Sequence, residues 1–482
     1  MTTSNTDRAY VRTEMLPEQP PPAKVGGVFQ WVRDNLFSTP LNAILTIAAI
    51  AVIWFFVAKF GPWFQHSVWH ASSLKECREI ITERWGQGAT GACFAVIRER
   101  WNQFMFGFYP RAEYWRPTLA FGLLFFALTP ILFAQSRRIR HWVMFLAAVV
   151  TFACCQLLGA PKLALLLMAA LFILWVYVVE TRQGWALVAS FLYPFFGVWL
   201  LWGGSLWSEI MVLLGFGILL LVVRLMPVRG AFAVGLGAVA AIIWWTGPSA
   251  WMAQHIDALV PIHLVKVPST QFGGFLLSIT IGIAGIAMSL PLGILLALGR
   301  QSNLPIVKML SVMFIEFIRG VPLIGMLFVA SLLLNYFLPP TVQFDIVLRV
   351  IIMVTLFASA YMAEVVRGGL AGLPKGQYEA AAAMGFDYWT AQRLIILPQA
   401  LKISIPAIVS TFIGMFKDTT LVTFVGLFDP LKAMSDAVRA SFDWKGTYWE
   451  PYLFTGAIFF ILCFSMARYS RYLERRLKRD KS

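Results

Sequence analysis

The chain has 482 residues, of which 59% are hydrophobic and only 13% are charged, whereas a typical soluble domain has about 25% charged residues. Its formal net charge of +15 would suit nucleic-acid binding only if a soluble domain carried a basic face. The composition therefore excludes a soluble enzyme, intrinsic disorder, a coiled coil and a secreted disulfide scaffold, and it predicts an all-α polytopic membrane protein that binds no nucleic acid.

In chain order, a polar, proline-containing tail over residues 1–40 comes first, and no cleavable signal peptide is visible. A membrane-spanning helix needs about 20 mostly apolar residues, and about twelve segments meet that requirement. Seven of them form a predicted N-terminal extension over 41–269: 41–60, 116–134, 142–159, 162–180, 185–203, 208–226 and 230–247. Five more lie within 270–470: 272–298, 305–336, 346–369, 401–427 and 452–470. A basic tail follows over 471–482.

Lysine and arginine are concentrated in alternate loops and in the C-terminal tail. Placing the N-terminus in the cytoplasm puts these basic segments inside, as the positive-inside rule requires. Both termini are then cytoplasmic, and residues 61–115 form an outside segment that is nearly neutral. Cys77 and Cys93 share that segment and would pair in an oxidising compartment; the sequence alone leaves the pairing open.

Ionisable residues are almost absent from the first seven spans but recur in the last five. Glu316 with Arg319, and Glu364 with Arg367, have the i,i+3 spacing that places both members of a pair on one helix face. Either the pairs neutralise each other where helices meet, or they line a path for a charged or zwitterionic solute. Proline residues at 291 and 322 are predicted to interrupt their spans.

A polar segment over 374–400 lies on the inside between two of these spans. Its alanine run predicts a short helix after Pro374, and Gly385 suits a left-handed helix end. Asp387 can cap a second short helix, which Pro398 is predicted to end or kink. The resulting helix–turn–helix suits docking into another protein, or else lies at the membrane as an amphipathic element.

The spacing of this segment resembles the EAA loop of ABC importer permeases: Glu379-Ala380-Ala381, three residues, Gly385, nine residues, then Ile395-x-Leu397-Pro398. Three further motifs resemble the polar amino-acid branch of that family, the histidine, arginine, glutamate and glutamine importers: Glu316-x-x-Arg319-Gly320-Val321-Pro322-Leu323, Tyr361-x-Ala363-Glu364-x-x-Arg367-Gly368-Gly369 and Lys417-Asp418-Thr419-Thr420-Leu421-Val422. The resemblance covers roughly 270–470. Within that family, the chain resembles the long permeases with extra N-terminal spans that serve general and acidic amino-acid uptake in some Gram-negative bacteria.

The resemblance implies a five-helix type I importer permease that translocates polar or general amino acids across the bacterial inner membrane. It also implies an ABC ATPase dimer, a second permease (an identical copy or a paralogue), a periplasmic amino-acid-binding protein and the lipid bilayer as partners. The residues that match the ATPase-coupling element are Glu379, Ala380, Ala381, Gly385, Leu397 and Pro398. The candidates for a substrate path or gate are Glu316, Arg319, Tyr361, Glu364, Arg367, Lys417 and Asp418.

The chain has no GxxxxGK[ST] motif, so it cannot hold ATP phosphates in the usual way. It shows no metal-ligand cluster and no nucleophile–base pair, and its five histidines are scattered, which argues against a membrane-embedded enzyme. We therefore expect a transporter subunit without a cofactor of its own, with ATP and Mg²⁺ bound by the partner ATPase. The alternative, a stand-alone secondary amino-acid carrier, predicts an inverted repeat that the two sets of spans do not display.

Overall fold

The computed structural model describes residues 27–133, 136–181, 185–226, 231–333 and 345–479. The α-helices before the predicted permease part are α1 Gly27–Leu36, α2 Pro40–Gln65, α3 Leu74–Trp85, α4 Ala95–Phe106, α5 Trp115–Leu132, α6 Arg137–Leu157, α7 Lys162–Thr181, α8 Trp185–Trp202, α9 Leu206–Leu225, α10 Ala231–Thr246 and α11 Pro248–Leu259. Those that follow are α12 Gly274–Gln301, α13 Pro305–Gly320, α14 Leu323–Phe328, α15 Ile346–Ala371, α16 Lys375–Ala383, α17 Tyr388–Ala391, α18 Leu397–Asp418, α19 Pro430–Arg439 and α20 Trp449–Arg479. Two short strands, β1 Gly204–Ser205 and β2 His263–Leu264, pair antiparallel.

The predicted spans coincide with helices of this fold. Among the described residues, eight helices are long and apolar enough to cross a membrane, and two bent helix pairs raise the number to ten. Two shorter apolar helices, Lys162–Val178 and Ser190–Trp202, occupy the fourth and fifth predicted segments. The protein is therefore an all-α polytopic membrane protein, as predicted. Most of the predicted N-terminal tail and residues 334–336 of one predicted span lie outside the described residues.

The chain divides into two compact units, and the first comprises the residues up to Ala71 together with Lys75–Ala95. It contains α1, α2 and nearly all of α3. A disulfide joins Cys77 to Cys93, and both residues are buried. Val68 pairs with Cys93 through the backbone. The disulfide therefore fixes α3 to the chain segment that follows it.

The second unit comprises Ser72–Leu74 and Val96–Ser482, so residues 96–269 fold together with the predicted permease part. One hydrophobic cluster spans both sequence regions. From the extension it includes Tyr109, Trp115, Leu200 and Leu201, and from the permease part it includes Phe272, Leu276, Leu323 and Val350 among others. The boundary predicted at 269/270 therefore separates sequence regions but does not separate compact units.

Three backbone segments of the second unit meet at contact distance. Gly107 bridges to Phe272 and Gly273 bridges to Phe428. A Cβ atom at Gly107, where φ is +65°, would lie 2.4 Å from the Cα of Gly273. Only glycine permits so close an approach together with a positive φ, so these residues join the extension to the start of α12.

Proline has opposite effects in two neighbouring spans. The helix α12 runs without a break through Pro291, which corrects the predicted interruption there. The predicted single span over 305–336 is instead two helical segments, Pro305–Gly320 and Leu323–Ser331, whose axes differ by 102°. The residue before Pro322 is the β-branched Val321, which is extended with φ −105° and ψ 132°. A proline disfavours the helical conformation of the residue before it, and this explains the break.

The helices α11 and α19 are among those outside the predicted spans that were not anticipated from the sequence. The helix α11 continues from α10 after a 47° bend, with Gly247 between them. The helix α19 lies between the last two spans and starts at Pro430, with Asp429 as its N-cap. Both contain too many polar residues to be recognised by a search for apolar runs.

Candidate functional site

Three helices bring five charged side chains together. Arg300 comes from the end of α12, Glu316 and Arg319 from α13, and Glu364 and Arg367 from α15. A single nitrogen of Arg300, Nη1, donates to Glu316 Oε1 at 2.8 Å and to Glu364 Oε1 at 2.7 Å. Charge-assisted hydrogen bonds of this length are the strong ones in proteins, so Arg300 links all three helices. We name these five residues the charged cluster.

Glu364 is the most enclosed member of the charged cluster, with a side chain 17% exposed. Its second oxygen, Oε2, accepts hydrogen bonds from Arg367 Nε at 3.0 Å and Nη2 at 2.9 Å. Both oxygens are therefore engaged by guanidinium groups. This carboxylate is held in place by two arginines from different helices.

Arg319 is held more loosely than the other arginines. Its Nη1 lies 3.8 Å from Glu316 Oε2 and 4.0 Å from Glu364 Oε2, and both distances are too long for a hydrogen bond. Its guanidinium lies 5.8 Å from the ring centroid of Tyr361, within cation–π range. The Arg319 side chain is 35% exposed and that of Glu316 is 53% exposed. With three arginines and two glutamates, the charged cluster carries one excess positive charge.

Glycines on α12 allow the neighbouring helices to approach. A Cβ atom at Gly293 would lie 2.7 Å from the Cβ of Met362 on α15, and one at Gly299 would lie 2.3 Å from the Oγ of Ser311 on α13. Small residues at such contacts are typical of membrane helix packing. They bring the backbone of α12 close enough for Arg300 to reach both glutamates.

Lys417 and Asp418 lie far from the charged cluster. They end α18, where the ring of the preceding Phe416 lies against Gly282 of α12. Along α12, the level of Gly282 is about 27 Å from Arg300, at about 1.5 Å per residue. The predicted path residues thus occupy two separate places, one at the C-terminal end of α12 and one near Gly282 in its N-terminal half.

The polar segment 374–400 begins with α16, which ends in a left-handed glycine. Gly385 has φ +73°, and its N–H donates to the Ala382 carbonyl at 3.0 Å. The N–H of Phe386 donates to the Ala381 carbonyl at 3.2 Å. This pair of bonds is the Schellman arrangement, in which glycine avoids the strain of a positive φ.

Asp387 starts the second helix of the segment. Its carboxylate accepts hydrogen bonds from the backbone N–H groups of Trp389 and Thr390 and from the Thr390 hydroxyl. The hydrogen bonds from Thr390 lower the pKa of this carboxyl below its usual value. The N-cap therefore stays ionised at neutral pH.

The second helix does not end at Pro398, so of the two predicted alternatives, an end or a kink, the end is wrong. The chain stays helical from α17 through a π-helical turn at Gln392–Ile396 into α18. A π-helical turn widens the helix by one residue and accommodates a proline that lacks an N–H. The segment is thus continuous with a membrane span.

The segment 374–400 is anchored on one side and exposed on the other. Ala381 is buried, and the Gln399 side-chain amide donates to the Gln377 oxygen at 2.9 Å. Of the other motif residues, Leu397 is half-buried, whereas Glu379, Ala380, Gly385 and Pro398 are exposed. Where α16 turns into α17, four large apolar or aromatic side chains are also exposed: Met384, Phe386, Tyr388 and Trp389. We call this region the turn. Contiguous exposed apolar groups are typical of a protein contact surface.

Two arginines with specific contacts were not predicted from the sequence. Arg300 lies next to a predicted loop, where a positive charge indicates orientation rather than a site. Arg116 lies at the start of α5 and is completely buried, with Nε donating to the Leu200 carbonyl at 2.7 Å and Nη1 to the Val265 carbonyl at 2.8 Å. No group of histidine, cysteine and acidic side chains that could hold a metal occurs in the described ranges.

The chain matches a family model described as binding-protein-dependent transport system inner membrane component over residues 289–479. It is 53% identical to the glutamate/glutamine/aspartate/asparagine transport system permease protein BztC of Rhodobacter capsulatus, over 98% of this chain and 99% of that protein. It is 35% identical to the inner membrane amino-acid ABC transporter permease protein YhdY of Escherichia coli, over 92% of each chain. A shorter relative, the probable glutamine ABC transporter permease protein GlnP of Bacillus subtilis, is 31% identical over 42% of this chain and 90% of its own length.

The matched proteins are membrane components of transport systems that depend on a binding protein. This chain belongs to the family of amino-acid ABC transporter permeases. The family resemblance and the transport function predicted from the sequence are thereby confirmed. The long relatives match almost the whole chain, so they share the N-terminal extension, which the short relative is too short to contain.

Proposed function

We propose that this permease imports acidic amino acids and their amides across the bacterial inner membrane. The substrate class rests on the relative BztC, whose name specifies glutamate, glutamine, aspartate and asparagine. A periplasmic binding protein delivers the amino acid, and an ATPase dimer that binds ATP and Mg²⁺ drives the transport cycle. A second permease, identical or paralogous, completes the pathway.

The orientation in this proposal places both termini in the cytoplasm and residues 61–115 in the periplasm. The disulfide between Cys77 and Cys93 supports it, because disulfides persist in oxidising compartments. The basic C-terminal end of α20 supports it as well, because arginine and lysine favour the cytoplasmic side. The segment 374–400 then faces the ATPase.

The observation that carries the proposal is the exposed turn between α16 and α17. Its apolar side chains at Met384 and Trp389 project from an otherwise polar segment, which suits insertion into a groove of the ATPase. The π-helical turn joins this segment directly to α18. A displacement of the turn by the ATPase would therefore move a membrane span.

The charged cluster is the proposed inner part of the substrate path or its gate. Charges within membrane spans are costly and generally face a cavity or another subunit. Glu316 and Arg319 are partly exposed on the permease surface, so a second permease or a water-filled path would cover them. Lys417 and Asp418 would contribute at the other end of the path.

A glycine substitution tests the coupling role of the turn. Gly385→Ala places a Cβ at φ +73° in open space, which costs about 1–2 kcal/mol of backbone strain and tilts the helix end. In liposomes containing the ATPase, the second permease and the binding protein, we expect ATP-driven uptake to fall about tenfold, the equivalent of about 1.4 kcal/mol.

The strain-matched control is Gly426→Ala, at a glycine with φ +87° that also lies in open space but outside the turn. We expect this variant to retain uptake and stimulated ATP hydrolysis. Equal losses in the two variants would show general destabilisation, and full activity of Gly385→Ala in correctly inserted protein would contradict the coupling assignment.

A further inference from the structure

We propose that Glu316 and Arg319 form a receptor for the zwitterionic head group of an α-amino acid. Arg319 would hold the α-carboxylate and Glu316 Oε2 would accept a hydrogen bond from the α-ammonium group. This inference rests on the proposed function, because it requires that the charged cluster lies on the path of an amino acid.

Arg319 and Glu316 have hydrogen-bonding capacity that the described contacts do not use. A guanidinium has five N–H donors, and within the described part of the chain the Arg319 side chain donates none of them. Glu316 uses Oε1 for Arg300, whereas the nearest cation to its Oε2 is the Arg319 Nη1 at 3.8 Å. By contrast, both oxygens of Glu364 are engaged. The spare donors and the spare acceptor therefore lie side by side.

The separation between Glu316 and Arg319 matches the dimensions of an amino-acid head group. The ammonium nitrogen and the carboxyl carbon of an amino acid are about 2.5 Å apart. Glu316 Oε2 and Arg319 Nη1 are 3.8 Å apart. A head group of this size can reach both atoms with charge-assisted hydrogen bonds of about 2.8 Å. A zwitterion can thus bridge the pair without rearrangement of the helix.

The pair Glu316 and Arg319 is also accessible. Glu316 and Arg319 are partly exposed, and Tyr361, over whose ring Arg319 lies, is also exposed. Glu364, whose Oε2 lies 4.0 Å from Arg319 Nη1, is about 10 Å from the end of α15 at Ala371, at about 1.5 Å per residue. An exposed ion pair at that depth is stable only beside water, a ligand or another subunit.

The remaining members of the charged cluster have a supporting role. Arg300 orients Glu316 and Glu364 through one nitrogen, and Arg367 neutralises Glu364. Arg300 is therefore a positioning residue. The head group is common to glutamate, glutamine, aspartate and asparagine, so this receptor cannot distinguish between them. Side-chain selection must occur elsewhere, and a broad substrate range follows.

The test uses the complete transporter in liposomes, with the ATPase, the second permease and the binding protein. We expect Arg319→Gln to lower the uptake of glutamate and of glutamine by the same factor, about tenfold to a hundredfold, as for loss of a charged hydrogen bond. ATP hydrolysis stimulated by the binding protein should persist. Arg319→Lys keeps the positive charge but loses the forked guanidinium, so its uptake should lie between that of the parent protein and that of Arg319→Gln. The control Lys308→Gln removes an exposed cation from the same helix and should match the parent protein.

Four results would overturn the inference. Loss of glutamate uptake with normal glutamine uptake would assign Arg319 to the substrate side chain. Unchanged uptake would remove Arg319 from the path, and joint collapse of uptake and ATP hydrolysis would assign it to helix packing. Finally, Glu316→Gln should weaken binding of glutamine to the purified permease but not that of the α-hydroxy analogue, which has no ammonium group; an equal effect on both would exclude Glu316 as its partner. If the parent transporter shows no ATP-driven uptake, the proposed function fails instead.

Discussion

The second compact unit contains two arginine sites that differ in how the guanidinium group is held. Arg116 is 0% exposed, donates to the backbone carbonyls of Leu200 and Val265, and has its Nη1 3.6 Å from Glu113 Oε2. Arg319 is partly exposed and faces carboxylates at 3.8 and 4.0 Å without a hydrogen bond. The first side chain ties the end of α8 to the chain after β2, whereas the second has donors available for a ligand.

This difference shows that a charge in a membrane protein does not by itself mark a transport site. Backbone carbonyls are fixed by the fold, so an arginine bound to them is part of the structure. A carboxylate on a neighbouring helix can exchange partners when that helix moves or a ligand arrives. Substitutions should therefore separate the two sites, with stability affected at Arg116 and transport at Arg319.

The largest effect is expected from Arg116→Gln. The shorter side chain leaves the Leu200 and Val265 carbonyls without their donor, and buried polar groups without partners cost about 1–3 kcal/mol each. We expect the free energy of unfolding to fall by about 2–5 kcal/mol, measured as a lower melting temperature of the purified protein. The exposed Arg111→Gln should change it by less than about 0.5 kcal/mol. If Arg116→Gln instead leaves stability intact and abolishes uptake, the contrast between the two sites is wrong.

A smaller effect is expected from Tyr109→Phe. The Tyr109 hydroxyl donates to the Leu201 carbonyl at 2.9 Å, and its ring lies 5.9 Å from the Arg116 guanidinium. Burial raises the pKa of this phenol, so it remains a donor throughout the physiological range. Losing the bond should cost about 1 kcal/mol without altering uptake at saturating substrate. Tyr177→Phe, at an exposed tyrosine of α7, should be neutral; a drop in transport caused by Tyr109→Phe alone would assign this region a direct role in transport.

The smallest effect is expected in the pH dependence of stability, through Asp429. This buried carboxyl group, like Arg116, forms hydrogen bonds with the backbone. Asp429 accepts hydrogen bonds from the N–H groups of Leu431 at 3.0 Å and Lys432 at 3.1 Å, and burial raises its pKa. A raised pKa in the folded state means that ionisation costs more there than in the unfolded chain. Stability should therefore decline as pH rises from about 4 through the folded pKa.

Asp429→Asn should remove that decline, because asparagine cannot ionise and still caps a helix. The measurement is the melting temperature between pH 4 and pH 7 for both proteins. Parallel curves would show that the ionisation of Asp429 does not change the stability of the protein.

Much of the fold was predictable because long apolar runs determine where membrane helices form. The segment 374–400 was predictable too, since Pro374, Gly385 and Asp387 each impose a local conformation that does not depend on distant contacts. The π-helical turn at Gln392–Ile396 was not predictable, because no residue type requires it. The effect of each proline was not predictable from the residue before it: the helix breaks at Val321-Pro322 but continues through Ile405-Pro406, although both prolines follow a β-branched residue.

The candidate site was only partly predictable. The i,i+3 pairs on α13 and α15 follow from helical periodicity, but their meeting does not, because it depends on how the helices pack. Arg300 reaches both glutamates only because Gly293 and Gly299 let α12 approach its neighbours. Lys417 and Asp418 are also a cation beside an anion in the sequence, but in the fold they lie near Gly282 of α12, far from Arg300.

The hydrophobic cluster around Phe272 has a consequence for biosynthesis. Trp115 and Leu200 leave the ribosome before Phe272 and Leu276, with which they share the cluster. At elongation rates of about 5–20 residues per second, about 10–30 s separate Trp115 from Phe272. During that interval, this part of the nascent chain is inserted without its final contacts. The extension can therefore complete its packing only after the permease helices have been inserted. In a chain truncated before residue 270, the extension residues of this cluster would lack their partners.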